Sequence, residues 1–347
     1  MTRVFPAEWH SQWGVLLAWP HPDTDWGDIM EQAEHCYADI VAAITRYENV
    51  LLLCRDANHQ AHIATVLAQR SLDNARILFV QLAYDDTWAR DFAFITVLEN
   101  GKARTLDFAF NAWGGKFSCA RDDAVNRALR DQGVLDAGAF AARSMILEGG
   151  SLESDGAGTL LTTAQCLLNP NRNPHMSKGQ IEAELRAALG VERILWLSRG
   201  HLEGDDTDAH IDTLARFVDV HTIVYMACND PGDSHYRELQ AMAAELKALR
   251  QPDGTPYQLV PIELPQPMFA QGRRLGASYV NFLMINEALL LPVYGDAQAD
   301  ANAIACLTRA CPGRAIIPVD CRALIRQNGS LHCITMQIPQ EVFANES

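Results

Sequence analysis

The sequence contains no Cys-x-x-Cys pair, although it carries nine cysteines, at 36, 54, 119, 166, 228, 306, 311, 321 and 333. That absence excludes zinc-ribbon and thioredoxin-type sites, which need closely spaced sulfur ligands. An odd, scattered set reads as reduced thiols in a reducing cytosol. Long apolar runs are also missing. The longest, over residues 282–294, is broken by Asn286, Glu287 and Pro292 and is too short to span a bilayer. The opening Met1-Thr2-Arg3-Val4-Phe5-Pro6-Ala7-Glu8 has no apolar h-region of a signal peptide. These absences predict a soluble cytoplasmic protein with no membrane partner. Basic residues are scarce: 28 Lys+Arg stand against 43 Asp+Glu, a formal net charge of −15. A nucleic-acid partner is excluded on that balance, because phosphates need a basic surface. No Gly-x-Gly-x-x-Gly follows the first strand and no Gly-x-Ser-x-Gly elbow occurs. Gly114-Gly115-Lys116 lacks the rest of a P-loop. No Pro/Gly/Ser-rich linker divides the chain, so a single domain over 1–347 is expected.

What is present is 347 residues with 48% hydrophobic content, enough for a sizeable core. Short apolar runs read as buried strands at 14–19, 50–54, 76–80, 193–197, 222–226, 289–293 and 314–319. Between them, apolar residues at i, i+3, i+4 spacing predict helices over 28–45, 177–189, 235–249 and 300–310. The alternation argues an α/β fold.

Four polar clusters carry candidate chemistry. Asp85-Asp86-Thr87-Trp88-Ala89-Arg90-Asp91 sets an aromatic among carboxylates, which suits a flat cation or a solvated acidic turn. Leu147-Glu148-Gly149-Gly150-Ser151 follows a carboxylate with a backbone able to approach a ligand closely, or is an ordinary Gly-Gly turn. Asp205-Asp206-Thr207-Asp208-Ala209-His210-Ile211-Asp212, if extended, points His210 and Asp212 to one side: an imidazole for proton transfer beside a carboxylate for a cation. His-x-Asp also occurs in metal sites, but no clear set of further ligands stands nearby. Asn328-Gly329-Ser330-Leu331-His332-Cys333-Ile334-Thr335 offers Cys333 as a nucleophile activated by a distant His, or as a small buried hydrophobe. On a strand His332 would face away from Cys333, so His332 is expected to be structural. Asp91, Glu148 and His210 stand about 60 residues apart, and Cys333 follows at about twice that interval, the spacing of a repeat architecture.

In this order the four clusters resemble the agmatine deiminase/bacterial peptidylarginine deiminase family of guanidine-modifying enzymes. The resemblance extends through Asn111-Ala112-Trp113-Gly114-Gly115-Lys116-Phe117, Cys166-Leu167-Leu168-Asn169-Pro170-Asn171-Arg172-Asn173-Pro174 and Ala277-Ser278-Tyr279-Val280-Asn281-Phe282. It implies the pentein fold, a five-bladed α/β propeller with pseudo-fivefold symmetry and a central site. It also implies a hydrolase acting on a small cationic guanidino substrate without metal or cofactor. On that resemblance Cys333 is the nucleophile and His210 the acid and base. Glu148 orients His210, Asp91 and Asp212 fork onto the guanidinium, and Trp88 lines the channel. Asp206 is a candidate contact to the amine or channel side.

The substrate implied is agmatine, hydrolysed to N-carbamoylputrescine and ammonia in putrescine and polyamine biosynthesis. Peptidylarginine or free arginine is the alternative; amidino transfer or a non-catalytic binding module is a remoter one. Gln327-Asn328-Gly329-Ser330 stands where agmatine-specific members resemble Gly-Gly-Gly-Asn. The segment through Phe117-Ser118-Cys119 lacks an aromatic insertion, and Ala209 replaces a usual Gly. Free arginine would need a cation for its carboxylate; Arg90 is the nearest candidate, but it is expected to pair with Asp85 or Asp86. Oligomeric state is left open, a homo-oligomer included.

Overall fold

The computed structural model describes residues 2–70 and 72–344. The apolar runs at 14–19, 50–54, 222–226 and 289–293 form strands buried almost throughout. Those at 76–80, 193–197 and 314–319, expected to be buried, form the edge strands Ile77–Gln81, Arg193–Leu197 and Ala315–Asp320 and are partly exposed because only one side of each is paired. Gln12–Ala18 is typical: Val15, Leu16, Leu17 and Ala18 are fully buried, and the strand pairs in parallel with Asn49–Cys54. Helices cover these sheets. Met30–Ile44 and Ala297–Ala310 both pack against the strand Ala315–Asp320. Helix limits follow from local chemistry. Lys178–Leu189 begins at a capping box between Ser177 and Gln180 and ends at Gly190, whose φ of 75° suits a left-handed cap.

Five of the six sheets among the described residues repeat one pattern, an antiparallel pair followed by a parallel one. In sequence order the first is Ile95–Glu99, Lys102–Ala109 and Phe140–Ile146. Next come Glu153–Ser154, Thr159–Thr163 and Arg193–Leu197, then Ala215–Phe217, Thr222–Ala227 and Gln258–Glu263. Leu283–Ile285, Ala288–Val293 and Ala315–Asp320 follow. The fifth joins distant parts of the sequence: Thr335–Pro339 pairs antiparallel with Gln12–Ala18, which leads in parallel to Asn49–Cys54.

This repeat positions the site. Asp91, Glu148, Asp212, Asn281 and Cys333 each lie shortly before the opening strand of one unit, at Ile95, Glu153, Ala215, Leu283 and Thr335. Among the described residues, no helix is long and apolar enough to cross a membrane.

Candidate active site

Asp91, Glu148, His210, Asp212 and Cys333 are all buried and meet in one place. Gly150 marks its centre. A Cβ there would stand 2.5 Å from His210 Nδ1, 2.8 Å from Asp91 Oδ1 and 3.2 Å from Asp212 Oδ2. The missing side chain therefore lets an imidazole and two carboxylates close on one another there, with no room for a methyl group. The preceding Gly149 serves packing instead, since its Cβ would lie 2.2 Å from the Arg90 carbonyl oxygen.

Asp91 is held on the single helical turn Ala89–Phe92. Its Oδ1 accepts from the Gly150 N–H at 3.0 Å and its Oδ2 from Trp113 Nε1 at 2.9 Å. Trp113 reaches it from a left-handed backbone, φ 55°, an uncommon conformation for a bulky residue. Burial pushes the Asp91 carboxyl up to about 6, against the pull of His210 and with the help of Asp212 and Glu148.

His210 lies between carboxylates, with Nδ1 3.6 Å from Asp91 and Nε2 3.5 Å from Glu148. Burial opposes its charged form, but Asp91, Cys166 and Glu148 outweigh burial and raise it well above the ordinary histidine value. It is an imidazolium in this setting. Glu148 accepts from Arg172 Nε at 2.8 and 3.0 Å, and the Arg172 guanidinium also reaches Asp208 at 2.6 Å. Burial resists the Glu148 charge; His210 and Arg172 overcome it and keep the carboxyl low.

Cys333 Sγ is 3.4 Å from Asn281 Oδ1 and 3.9 Å from Asp212 Oδ2. Burial first, then the charges of Asp212 and Asp91, hold its thiol well above the ordinary value. A cation entering between those carboxylates reverses the second cause and favours the thiolate. Asp212 Oδ1 is buried without a hydrogen-bond partner among the described residues, as are both ring nitrogens of His210.

Trp88 and Asp206 line the cavity that leads to Cys333, together with Asp25, Asp86, Trp113 and Phe117. Trp88 Nε1 donates to Asp86 Oδ2 at 3.1 Å and its ring packs on Trp26. Gly329 permits that placement, because a Cβ there would lie 2.1 Å from the indole. Burial raises Asp86 and Asp206 each to about 6, with Asp25 adding to the first and Asp205 to the second. Asn328 Nδ2 donates to Asp206 Oδ2 at 2.9 Å, and Gln327 donates to the Asp25 carbonyl.

Three local expectations are corrected. The 205–212 segment is not extended: it turns through Asp208 and Ala209, at φ 67° and 66°, into the one-turn 3-10 helix Ile211–Thr213. His210 and Asp212 reach the site through that turn. The left-handed φ also explains why glycine suits position 209 better than alanine. His332 and Cys333 precede the strand Thr335–Pro339 rather than lying on it, and both side chains approach Asp212 Oδ2. Arg90 turns away from Asp85 and Asp86. Its guanidinium donates to Gln337 Oε1 at 2.6 Å and lies 3.6 Å from Glu8.

Three residues at the site escaped the sequence reading as functional groups. Asn281 sits about halfway between His210 and Cys333, where the repeat spacing leaves a gap. Arg172 and Cys166 lie in a motif that gave no chemical reason for contact with Glu148. Glu148, Cys166 and His210 do offer ligand atoms within 4.8 Å of one another. The Arg172 charge beside Glu148 opposes a cation there, while supporting the carboxylate as a partner for His210.

The chain is a hydrolase acting on carbon–nitrogen bonds of linear amidines, and it belongs to the Porphyromonas-type peptidyl-arginine deiminase family, whose model matches residues 4–339. Among its relatives is the agmatine deiminase of Stutzerimonas stutzeri strain A1501, 36% identical, with 96% of this chain and 95% of the relative covered. A Porphyromonas gingivalis protein provisionally named an arginine deiminase superposes with a TM-score of 0.91. It is 45% identical, with 98% of this chain and 99% of that one covered. A cysteine-to-serine variant of C. jejuni agmatine deiminase, solved with substrate bound, superposes at 0.89. It is 38% identical, with 97% and 96% covered.

Proposed function

We propose that this chain hydrolyses the guanidinium of agmatine to N-carbamoylputrescine and ammonia through a covalent adduct on Cys333. The observation that carries this reading is the convergence of His210, Asp91 and Asp212 around Gly150, with Cys333 Sγ 3.9 Å from Asp212 Oδ2 and a cavity reaching Asp91 and Cys333. Asp91 and Asp212 hold the planar cation and fix its central carbon. Its positive charge favours the Cys333 thiolate: the thiol releases its proton to water as the cation binds, and the sulfur attacks that carbon. The His210 imidazolium protonates the departing nitrogen, and ammonia leaves an S-alkylthiouronium. His210, now neutral, takes a proton from water; the hydroxide adds, the C–S bond breaks, and the ureido product leaves. Glu148, held by Arg172, keeps the ring charged and oriented. The five repeated sheets fit a five-bladed propeller with the site at its hub, and the whole chain is read as one catalytic domain.

The mouth favours agmatine. Asp25, Asp86 and Asp206 line it, which suits a distal ammonium and opposes an α-carboxylate. The Gln327 and Asn328 hydrogen bonds to Asp25 and Asp206 draw the two sides of the entrance together, which suits a small substrate better than a peptide. Ammonia release with agmatine, free arginine and a blocked arginyl peptide, measured in parallel, tests this. Agmatine is expected to give the highest kcat/KM; a higher value for the peptide would overturn the substrate assignment and leave the deiminase chemistry standing.

No step in this scheme uses a metal. Dialysis against a strong chelator is expected to leave ammonia release unchanged. Loss of activity that returns only with a divalent cation would recast Glu148, Cys166 and His210 as ligands.

A further inference from the structure

The His332 ring stands behind the site with both nitrogens engaged. Nδ1 lies 2.7 Å from Asp212 Oδ2, and Nε2 lies 2.6 Å from Glu8 Oε2. Contacts this short between nitrogen and carboxylate oxygen each require a bridging proton. The three groups therefore hold two protons between them, against burial and the charges of Arg216 and Arg90, which oppose the charged form of the His332 ring. Other charges surround this chain. Arg216 lies 2.9 Å and Arg90 3.6 Å from Glu8 Oε2. Arg216 also pairs with Glu153, and Cys333 adjoins His332 in sequence. The main chain that carries the ring is fixed, because the His332 backbone N–H donates to the Asn281 carbonyl at 3.1 Å and to Asn281 Oδ1 at 3.0 Å.

We infer that Glu8 and His332 are positioning residues: by binding Asp212 Oδ2 through two shared protons, they fix that carboxylate opposite Asp91 and leave its Oδ1 unpartnered for the substrate guanidinium. The inference rests on the proposed guanidinium chemistry. His332 is not the catalytic base, since its nitrogens are both spent on carboxylates. Its effect passes through Asp212. Burial would raise that carboxyl, and the hydrogen bond and charge of His332 lead the opposing causes that keep it below its ordinary value.

The test compares wild type with His332→Gln and Glu8→Gln. In wild type, kcat/KM is expected to fall on the acid side as Asp91, pushed up to about 6 by burial, takes up its proton. Without His332, Asp212 loses the partner that leads the causes lowering its pKa, so a second carboxylate takes up its proton at higher pH than in wild type. The acid limb is expected to move up by about one pH unit and to steepen. At neutral pH, kcat/KM should fall roughly tenfold to hundredfold, with KM rising because cation binding is weakened. Glu8→Gln should shift the limb in the same direction by less. The double variant should lose less than the sum of the two, as expected for members of one chain. A purely structural His332 would lower Tm and leave the pH profile of the folded enzyme in place, which would overturn the inference. Proton NMR supplies a readout free of activity: wild type should show downfield ring N–H resonances for both bridges, absent from His332→Gln. Their absence from wild type overturns the shared-proton chain. Failure of wild type to release ammonia from any guanidino substrate instead overturns the functional reading, and the resonances still decide the chain.

Discussion

Cys333→Ser is expected to lower turnover by at least about 10⁴-fold while the protein stays folded. The hydroxyl can keep the contacts that the thiol makes with Asn281 and Asp212, so Tm should move little. The chemistry changes much more. Burial and two carboxylates already hold the thiol well above its ordinary value. A bound cation can recover a thiolate from that position, but an alcohol starts far higher and is a poorer nucleophile toward a resonance-stabilised carbon. Ammonia release together with thermal unfolding checks this. A variant that keeps more than about a tenth of the activity would remove Cys333 from the reaction.

Gly150→Ala is expected to reduce kcat/KM by about 10³-fold, a loss as local as one methyl group. The new Cβ would stand 2.5 Å from His210 Nδ1 and 2.8 Å from Asp91 Oδ1, too close for either, so both side chains must leave the positions from which they are proposed to act on the guanidinium. Gly150 is not among the glycines with a left-handed φ, so the substitution adds no torsional strain and its cost falls on those displaced side chains. Gly149→Ala is the contrasting variant. Its Cβ would meet the Arg90 backbone at 2.2 Å, so it should cost about 1–3 kcal/mol of stability. The expected pattern is activity lost with Tm largely kept at 150, and Tm lost at 149. Full activity in folded Gly150→Ala would move the guanidinium to another place.

Residue type explains which parts of the fold could be read in the sequence. The runs at 50–54 and 222–226 were legible because parallel strands covered on both faces are apolar throughout, and the partly exposed edge run at 193–197 because Ile194, Leu195, Trp196 and Leu197 are apolar in succession. They correspond to Asn49–Cys54, Arg193–Leu197 and Thr222–Ala227. Lys102–Ala109, Phe140–Ile146 and Gln258–Glu263 were not, since charges, Ser144 or Pro261 interrupt their patterns. Helix periodicity located Met30–Ile44 and Tyr236–Ala248 but missed Ala57–Leu67, in which only Ile63, Val66 and Leu67 are buried. The resemblance named Asp91, Glu148, His210, Asp212 and Cys333, which the structure brings together. Interactions across long separations were hidden: nothing local links Glu8 to His332 or Arg172 to Glu148. Asn281 could have been found from the doubled interval between His210 and Cys333, because each repeated unit sets one polar residue ahead of its opening strand.

The most direct test of the central claim is intact-mass analysis of wild-type enzyme acid-quenched during turnover of agmatine, with peptide mapping of the product. The account predicts a transient species heavier by agmatine less one ammonia, located on Cys333 and missing from Cys333→Ser. Turnover without any such species, or an adduct located on Cys166 instead, would contradict it.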